Sequence, residues 1–213
     1  MDRDLLQLRK EFAQRELSET NVDRDPFAQF QRWFDDAVRA HVHLPTAMAL
    51  ATATTDGRPS ARMVLLKLMD NRGFVFFTNF ESKKADDLTK NPNASLLFHW
   101  VELERQVCID GSVERATREE AEQYFKTRPY ESQLSAWASK QSSVIPSRSE
   151  LEKSFEEVRA RYPSDEVPLP PFWGGFRVIP TTFEFWQGRE NRLHDRIRYR
   201  KEAEQWVIER LAP

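Results

Sequence analysis

The segment TAMALATATTDGRPSARMVLLKLMDNRGFVFFTNF, residues 46–80, decides the fold. It is rich in strand-forming residues and is broken twice, by Asp56-Gly57 and by Asn71-Arg72-Gly73. Glycine accepts the positive φ of a tight turn, so Asp-Gly between two β-rich runs predicts a hairpin. ESKKADDLTKNP then reads as a short helix ended by Asn91-Pro92, and ASLLFHWV and RQVCIDGSVERA as two further strands. Strand after strand with short connections implies an antiparallel sheet or closed barrel, and argues against a parallel α/β sheet.

Helices flank this core. Upstream, Asp25 can cap and Pro26 can open a helix whose apolar face carries Phe27, Phe30, Trp33, Phe34, Ala37 and Val38. Before it, Leu5, Leu8 and Phe12 recur at helical spacing in a charged background, so residues 1–25 are expected to form a loosely held helical arm. Downstream, TREEAEQYFKTRP begins with a capping box, Thr117 and Glu120, and is followed by helical ESQLSAWASKQ and SRSELEKSFEEVRARYP. The last forty residues return to strands: WGGFRVIP, TTFEFWQG, RLHDRIRYRK and QWVIERLAP. The proline-rich PSDEVPLPPF is too short and too apolar at its end for a linker, so residues 1–213 are expected to be one domain.

The bulk properties exclude several classes. A net charge of -2 gives no general attraction to nucleic acid or anionic membranes. The single cysteine, Cys108, allows no intrachain disulfide and reads as a small core residue. The charged N-terminal stretch and the lack of a long apolar run suggest a soluble, cytoplasmic protein. GxGxxG, Walker and GxSxG motifs are absent. His41 and His43 read as a polar helix end before a proline, and no metal is expected.

What remains is a set of cationic clusters. In RLHDR read as a strand, Arg192, His194 and Arg196 share one face. Such a face is either solvated or, beside Phe185, Trp186 and Gln187, a platform for a planar heteroaromatic ligand. Arg62 and Lys67 flank an apolar strand centre, and Ser82-Lys83-Lys84 stands at a helix start, where amide groups and a cation can hold a phosphate. Tyr124, Arg128 and Ser132 form a second phosphate-grade set, and Gln141 and Ser142 a further polar pair. Separate phosphate-grade clusters with an aromatic platform suggest two phosphorylated planar ligands.

The stretches PTAMALAT, RMVLLK, FFTN, SKKA, LERQV, YFKTRP, SQLSAWASKQSS, VPLPPFWGGFRV, EFWQG and RLHDR occur in an order that resembles the pyridoxine (pyridoxamine) 5'-phosphate oxidases over nearly the whole chain. The resemblance implies a mainly β protein with flanking helices, an FMN-binding split barrel built as an antiparallel Greek-key barrel. It implies a homodimer with FMN between subunits, an expectation that aromatics such as Trp100 and Trp137 also suggest. By resemblance, Arg62, Lys84 and Ser142 hold the FMN phosphate, with Lys83 and Gln141 beside them. The backbone of Met63, Val64, Leu65 and Leu66, leading into Lys67, lines the flavin with Phe77 and Thr78. Gln106, Trp186 and Arg196 contact its ring. Lys67, Tyr124, Arg128 and Ser132 bind the substrate phosphate; Arg192 and His194 sit at the substrate pyridine as the catalytic pair.

The sequence departs from the family pattern at three places. Lys83-Lys84 stands where relatives often have Arg-Lys, keeping charge but losing a guanidinium fork. Phe12 replaces a tyrosine and Leu44 an acidic residue, which bears on an N-terminal lid. The implied reaction oxidises pyridoxamine or pyridoxine 5'-phosphate to pyridoxal 5'-phosphate with oxygen. It releases hydrogen peroxide, and ammonia from the amine. The alternatives are another split-barrel flavin reductase, a flavin carrier, or an RNA-binding barrel using the arginine-rich strand.

Overall fold

The computed structural model describes residues 16–164 and 166–213. In chain order the elements are α1 (Pro26–Arg39), β1 (Ala47–Ala53), β2 (Pro59–Leu65), β3 (Leu68–Asp70), β4 (Gly73–Asn79), α2 (Lys83–Lys90), β5 (Asn93–Trp100), β6 (Arg105–Arg115), α3 (Arg118–Lys126), α4 (Tyr130–Ala138), α5 (Arg148–Arg161), β7 (Trp173–Gln187), β8 (Asp195–Glu202) and β9 (Gln205–Arg210). The hydrogen-bonded strand order is β2-β1-β5-β6-β7-β4-β3, with β8 on β7 and β9 on β8.

The chain divides into two compact units interleaved in sequence. A central unit comprises Ala49–Ser95 and Gly111–Ile179; a terminal unit comprises the segment ending at Met48, Leu96–Asp110 and Pro180–Pro213. Strands β5, β6 and β7 each contribute residues to both.

In the central unit the turn signals act as read. Gly57 and Gly73 both take positive φ. At Gly73, in the β3–β4 turn, a Cβ would lie 2.1 Å from the carbonyl oxygen of Val178 on β7, so no other residue fits without backbone movement. The capping box forms, with Thr117 accepting from the Glu120 amide and Glu120 accepting in return. Arg177 is wholly buried beneath Asp70 and Glu120, whose carboxylates lie 2.5 Å from its Nη1 and Nη2. The sequence reads WGGFRVIP and TTFEFWQG as separate strands, but the structure runs one strand, β7, through Pro180. The proline is tolerated because it falls between the β4 and β8 ladders: on β7 the pairing with β4 reaches as far as Val178, and the pairing with β8 starts at Thr182.

In the terminal unit, α1 is capped by Asp25 and buries Phe30, Trp33 and Ala37. Phe30 packs edge-on against Phe98 at 4.9 Å, and Trp33 against Phe185 at 5.2 Å. Trp100 is consumed by this core, and in the central unit Trp137 is half-buried against Tyr162 and Phe172. Cys108 is half-buried, opposite the fully buried Val107 and Ile109, rather than in the core. The helical spacing of Leu5, Leu8 and Phe12 lies outside the described residues. The described part of that arm, 16–25, consists of turns, not helix. It is tied down: Leu17 is buried and donates its amide to Asp195, Arg210 forks onto Glu19, and the Tyr199 hydroxyl donates to the Asp23 carbonyl. Specific partners hold these ten residues where helical periodicity could not.

Candidate functional site

The central unit carries a cavity of about 1060 Å³ that opens to solvent. Strand β2 and its exit supply Arg62, Met63, Val64, Leu65 and Lys67; β4 supplies Phe77 and Thr78; α2 supplies Lys83 and Lys84; α3 and the turn after it supply Tyr124 and Arg128; Gln141 and Ser142 follow α4. All were expected at a ligand site from the sequence.

One end of the cavity is cationic. The ammonium of Lys84 donates to Thr78 Oγ1 (2.9 Å), Ser82 Oγ (3.2 Å) and Gln141 Oε1 (2.8 Å), all neutral acceptors. Burial, and then the charge of Arg62, push its pKa down to about 8. Arg62 donates to the Leu50 carbonyl, Thr52 and Ser60, and burial lowers its pKa against the opposing pull of Asp87. Ser82 caps α2 without a side-chain bond to the helix amides, leaving the first turn available to an anion. Ser142 takes a left-handed φ of 73° in an exposed turn.

The other end is aromatic and cationic. Phe77, Tyr124 and Trp173 stack nearly parallel, with Phe77 4.4 Å from Tyr124 and 5.6 Å from Trp173. Lys67 lies over Tyr124, and Arg128 over Trp173 at 4.9 Å. Nη1 of Arg128 is buried and has no hydrogen-bond partner among the described residues, which is costly unless an acceptor arrives. The arrangement thus offers two cationic clusters with apolar and aromatic surface, and the donor set fits a phosphorylated flavin and a second phosphorylated ring.

Some expected residues are placed elsewhere. Leu66 is buried, and Ser132 lies at the start of α4, one turn before the lining residues Ser135 and Ala136; neither lines the cavity. Trp173, Asn79, Ala136 and the α5 side chains Leu151 and Phe155 line it but were not singled out. FFTN and WGGFRV read as strands and as stretches that carry the resemblance, but no ligand role was assigned to Asn79 or Trp173 within them.

Gln106, Trp186, Arg192, His194 and Arg196 belong to the terminal unit. RLHDR is not one strand: β8 starts only at Asp195. Asn191 and Arg192 take φ of 56° and 60° in a 3-10 turn, and left-handed residues break the alternation that would put Arg192, His194 and Arg196 on one face. His194 Nδ1 accepts the Arg189 amide at 3.1 Å, and its ring lies 4.6 Å from that of Trp186. Burial and then the charge of Arg192 lower its pKa, consistent with a neutral acceptor. Arg196 forks onto Glu184 at 2.7 and 3.0 Å and donates to the Ala212 carbonyl. The crowding of cations is therefore relieved by neighbouring glutamates: Arg198 likewise pairs with Glu209. Gln106 is half-buried on β6.

Against this geometry, comparison with known proteins defines the class. Residues 34–162 match the family model described as pyridoxamine 5'-phosphate oxidase, and residues 173–213 match the pyridoxine 5'-phosphate oxidase C-terminal dimerisation region. A pyridoxine/pyridoxamine 5'-phosphate oxidase of Nostoc punctiforme is 54% identical over all of both chains. One of Salinibacter ruber is 55% identical over 98% of this chain and 99% of its own. Among solved structures, PhzG from Burkholderia lata 383, in complex with tetrahydrophenazine-1-carboxylic acid, superposes with a TM-score of 0.89 at 32% identity, covering 94% of this chain and all of its own. The chain is a flavin-dependent oxidoreductase with the mainly β split-barrel fold. It belongs to the pyridoxine/pyridoxamine 5'-phosphate oxidase family. No helix among the described residues is long and apolar enough to cross a membrane.

Proposed function

We propose that the chain uses FMN to oxidise pyridoxamine 5'-phosphate and pyridoxine 5'-phosphate to pyridoxal 5'-phosphate. Oxygen is the acceptor, and the protein works as a cytoplasmic homodimer in which residues 1–213 act as one functional domain. The observation that carries this reading is the buried Nη1 of Arg128, unpartnered among the described residues, beside the aromatic cluster of a cleft that also holds Arg62 and Lys84. Each cluster is assigned one phosphate. The match to a dimerisation region supports the dimer.

Arg62, Lys84 and Ser142 hold the FMN phosphate, with Gln141 orienting Lys84. The β2 backbone from Met63 to Leu66, with Phe77 and Thr78, lines the flavin, and Gln106, Trp186 and Arg196 are assigned to its ring. Lys67, Tyr124, Arg128 and Ser132 take the substrate phosphate, and Arg192 and His194 the pyridine. When bound, the flavin supplies the hydride acceptor. The protein's own residues fix the substrate by its phosphate and exclude water with the Phe77–Tyr124–Trp173 stack. Overall the substrate loses two electrons and two protons, oxygen gains them as hydrogen peroxide, and the imine from the amine substrate adds water and releases ammonia.

PhzG favours a second reading, since its bound ligand is a carboxylated tricycle and an unpartnered arginine also suits a carboxylate. Oxygen uptake separates the two. With added FMN, uptake is expected with pyridoxamine 5'-phosphate and pyridoxine 5'-phosphate. Uptake with tetrahydrophenazine-1-carboxylic acid alone would favour the second reading.

A further inference from the structure

Behind the cationic end of the cavity lies a carboxylate that a purely electrostatic design would omit. Asp87, on α2, is almost fully buried. It accepts from Lys83 Nζ at 3.0 and 2.9 Å and from the Thr52 hydroxyl at 2.8 Å, and it lies 3.8 Å from Arg62 Nη2. A hydroxyl has one proton. Since Thr52 spends it on Asp87, the Thr52 oxygen presents its lone pairs to Arg62 Nη1, 2.8 Å away. Arg62 is thereby held from β1 by Thr52 and the Leu50 carbonyl, and from its own strand by Ser60. Lys83 has its carboxylate in Asp87, whereas the adjacent Lys84 rests only on neutral oxygens.

We propose that Asp87, acting through Thr52, is a positioning residue that fixes the Arg62 guanidinium for the ligand phosphate and makes Lys83 its counter-ion rather than a phosphate ligand. The inference rests on the reading that this end of the cavity takes the flavin phosphate. It separates two neighbouring lysines that charge alone would treat alike.

The sign of one substitution tests it. By charge alone, removing a carboxylate beside an anion site tightens anion binding. By positioning, it loosens it. The full chain, freed of flavin, is titrated with FMN and with riboflavin, following flavin fluorescence. Asp87→Asn is expected to weaken FMN about tenfold or more, the range of a hydrogen bond to a charged group, while riboflavin affinity stays unchanged. Thr52→Val is expected to do the same, and the double variant to lose no more than either single one, because both cut the same relay. Lys83→Met is expected to cost less than Asp87→Asn. FMN binding that is unchanged or tighter in Asp87→Asn, or additive losses in the double variant, overturns the inference while leaving the phosphate site in place. Equal affinity of the unmodified protein for FMN and riboflavin overturns the underlying phosphate reading itself.

Discussion

Replacing Arg128 by alanine is expected to raise the Michaelis constant for pyridoxamine 5'-phosphate by about two orders of magnitude, with FMN affinity unchanged. Truncating one partner of a buried guanidinium–anion pair costs roughly 2–5 kcal/mol. Arg128 meets the condition for an effect of that size. Its guanidinium is braced over Trp173 and Phe125, burial lowers its pKa, and Nη1 has no acceptor among the described residues. The brace fixes a planar fork, so Arg128→Lys is expected to restore little. Steady-state kinetics and flavin titration of the same variants decide it. Loss of flavin with an unchanged Michaelis constant would assign Arg128 to the cofactor.

The second large effect is at Lys84. FMN is expected to bind the protonated ammonium. In the free protein burial holds that group's pKa near 8, and a bound phosphate raises it. Affinity is therefore complete below about pH 8 and falls as pH rises through that value, by up to about tenfold per unit, until the pKa of the complex is reached. Lys84→Met is expected to weaken FMN by about ten- to a hundredfold and to remove the decline between pH 8 and 9. A variant that keeps the same decline would place its origin in another group.

Much of this was legible in the sequence because it is written in local chemistry. Asp56-Gly57, Gly73, Asp25-Pro26 and the Thr117–Glu120 box each determine a backbone conformation within a few residues. Arg62, Lys67, Lys83 and Lys84 stood out as cation clusters, which taken alone are also consistent with a solvated surface; their ligand roles, and Met63, Val64, Leu65, Phe77 and Thr78, came from the family resemblance. What was not legible depends on partners distant in sequence. Periodicity made RLHDR a strand, but the turn that breaks it is closed by the Arg189 amide on His194, and Arg196 is neutralised by Glu184. Trp173 was not singled out, because a tryptophan that packs and one that braces a ligand arginine have the same local pattern. Pro180 argued for a strand break, and only the ladder assignment shows why none occurs.

The most direct test of two phosphate sites serving one oxidation is anaerobic flavin bleaching. The chain is loaded with FMN, oxygen is removed, and pyridoxamine 5'-phosphate or unphosphorylated pyridoxamine is added at equal concentration while the oxidised-flavin absorbance is followed. The account predicts bleaching by the phosphate ester, with equimolar pyridoxal 5'-phosphate formed, and little by the unphosphorylated amine. Equal bleaching by both, or none by the phosphate ester, would contradict it.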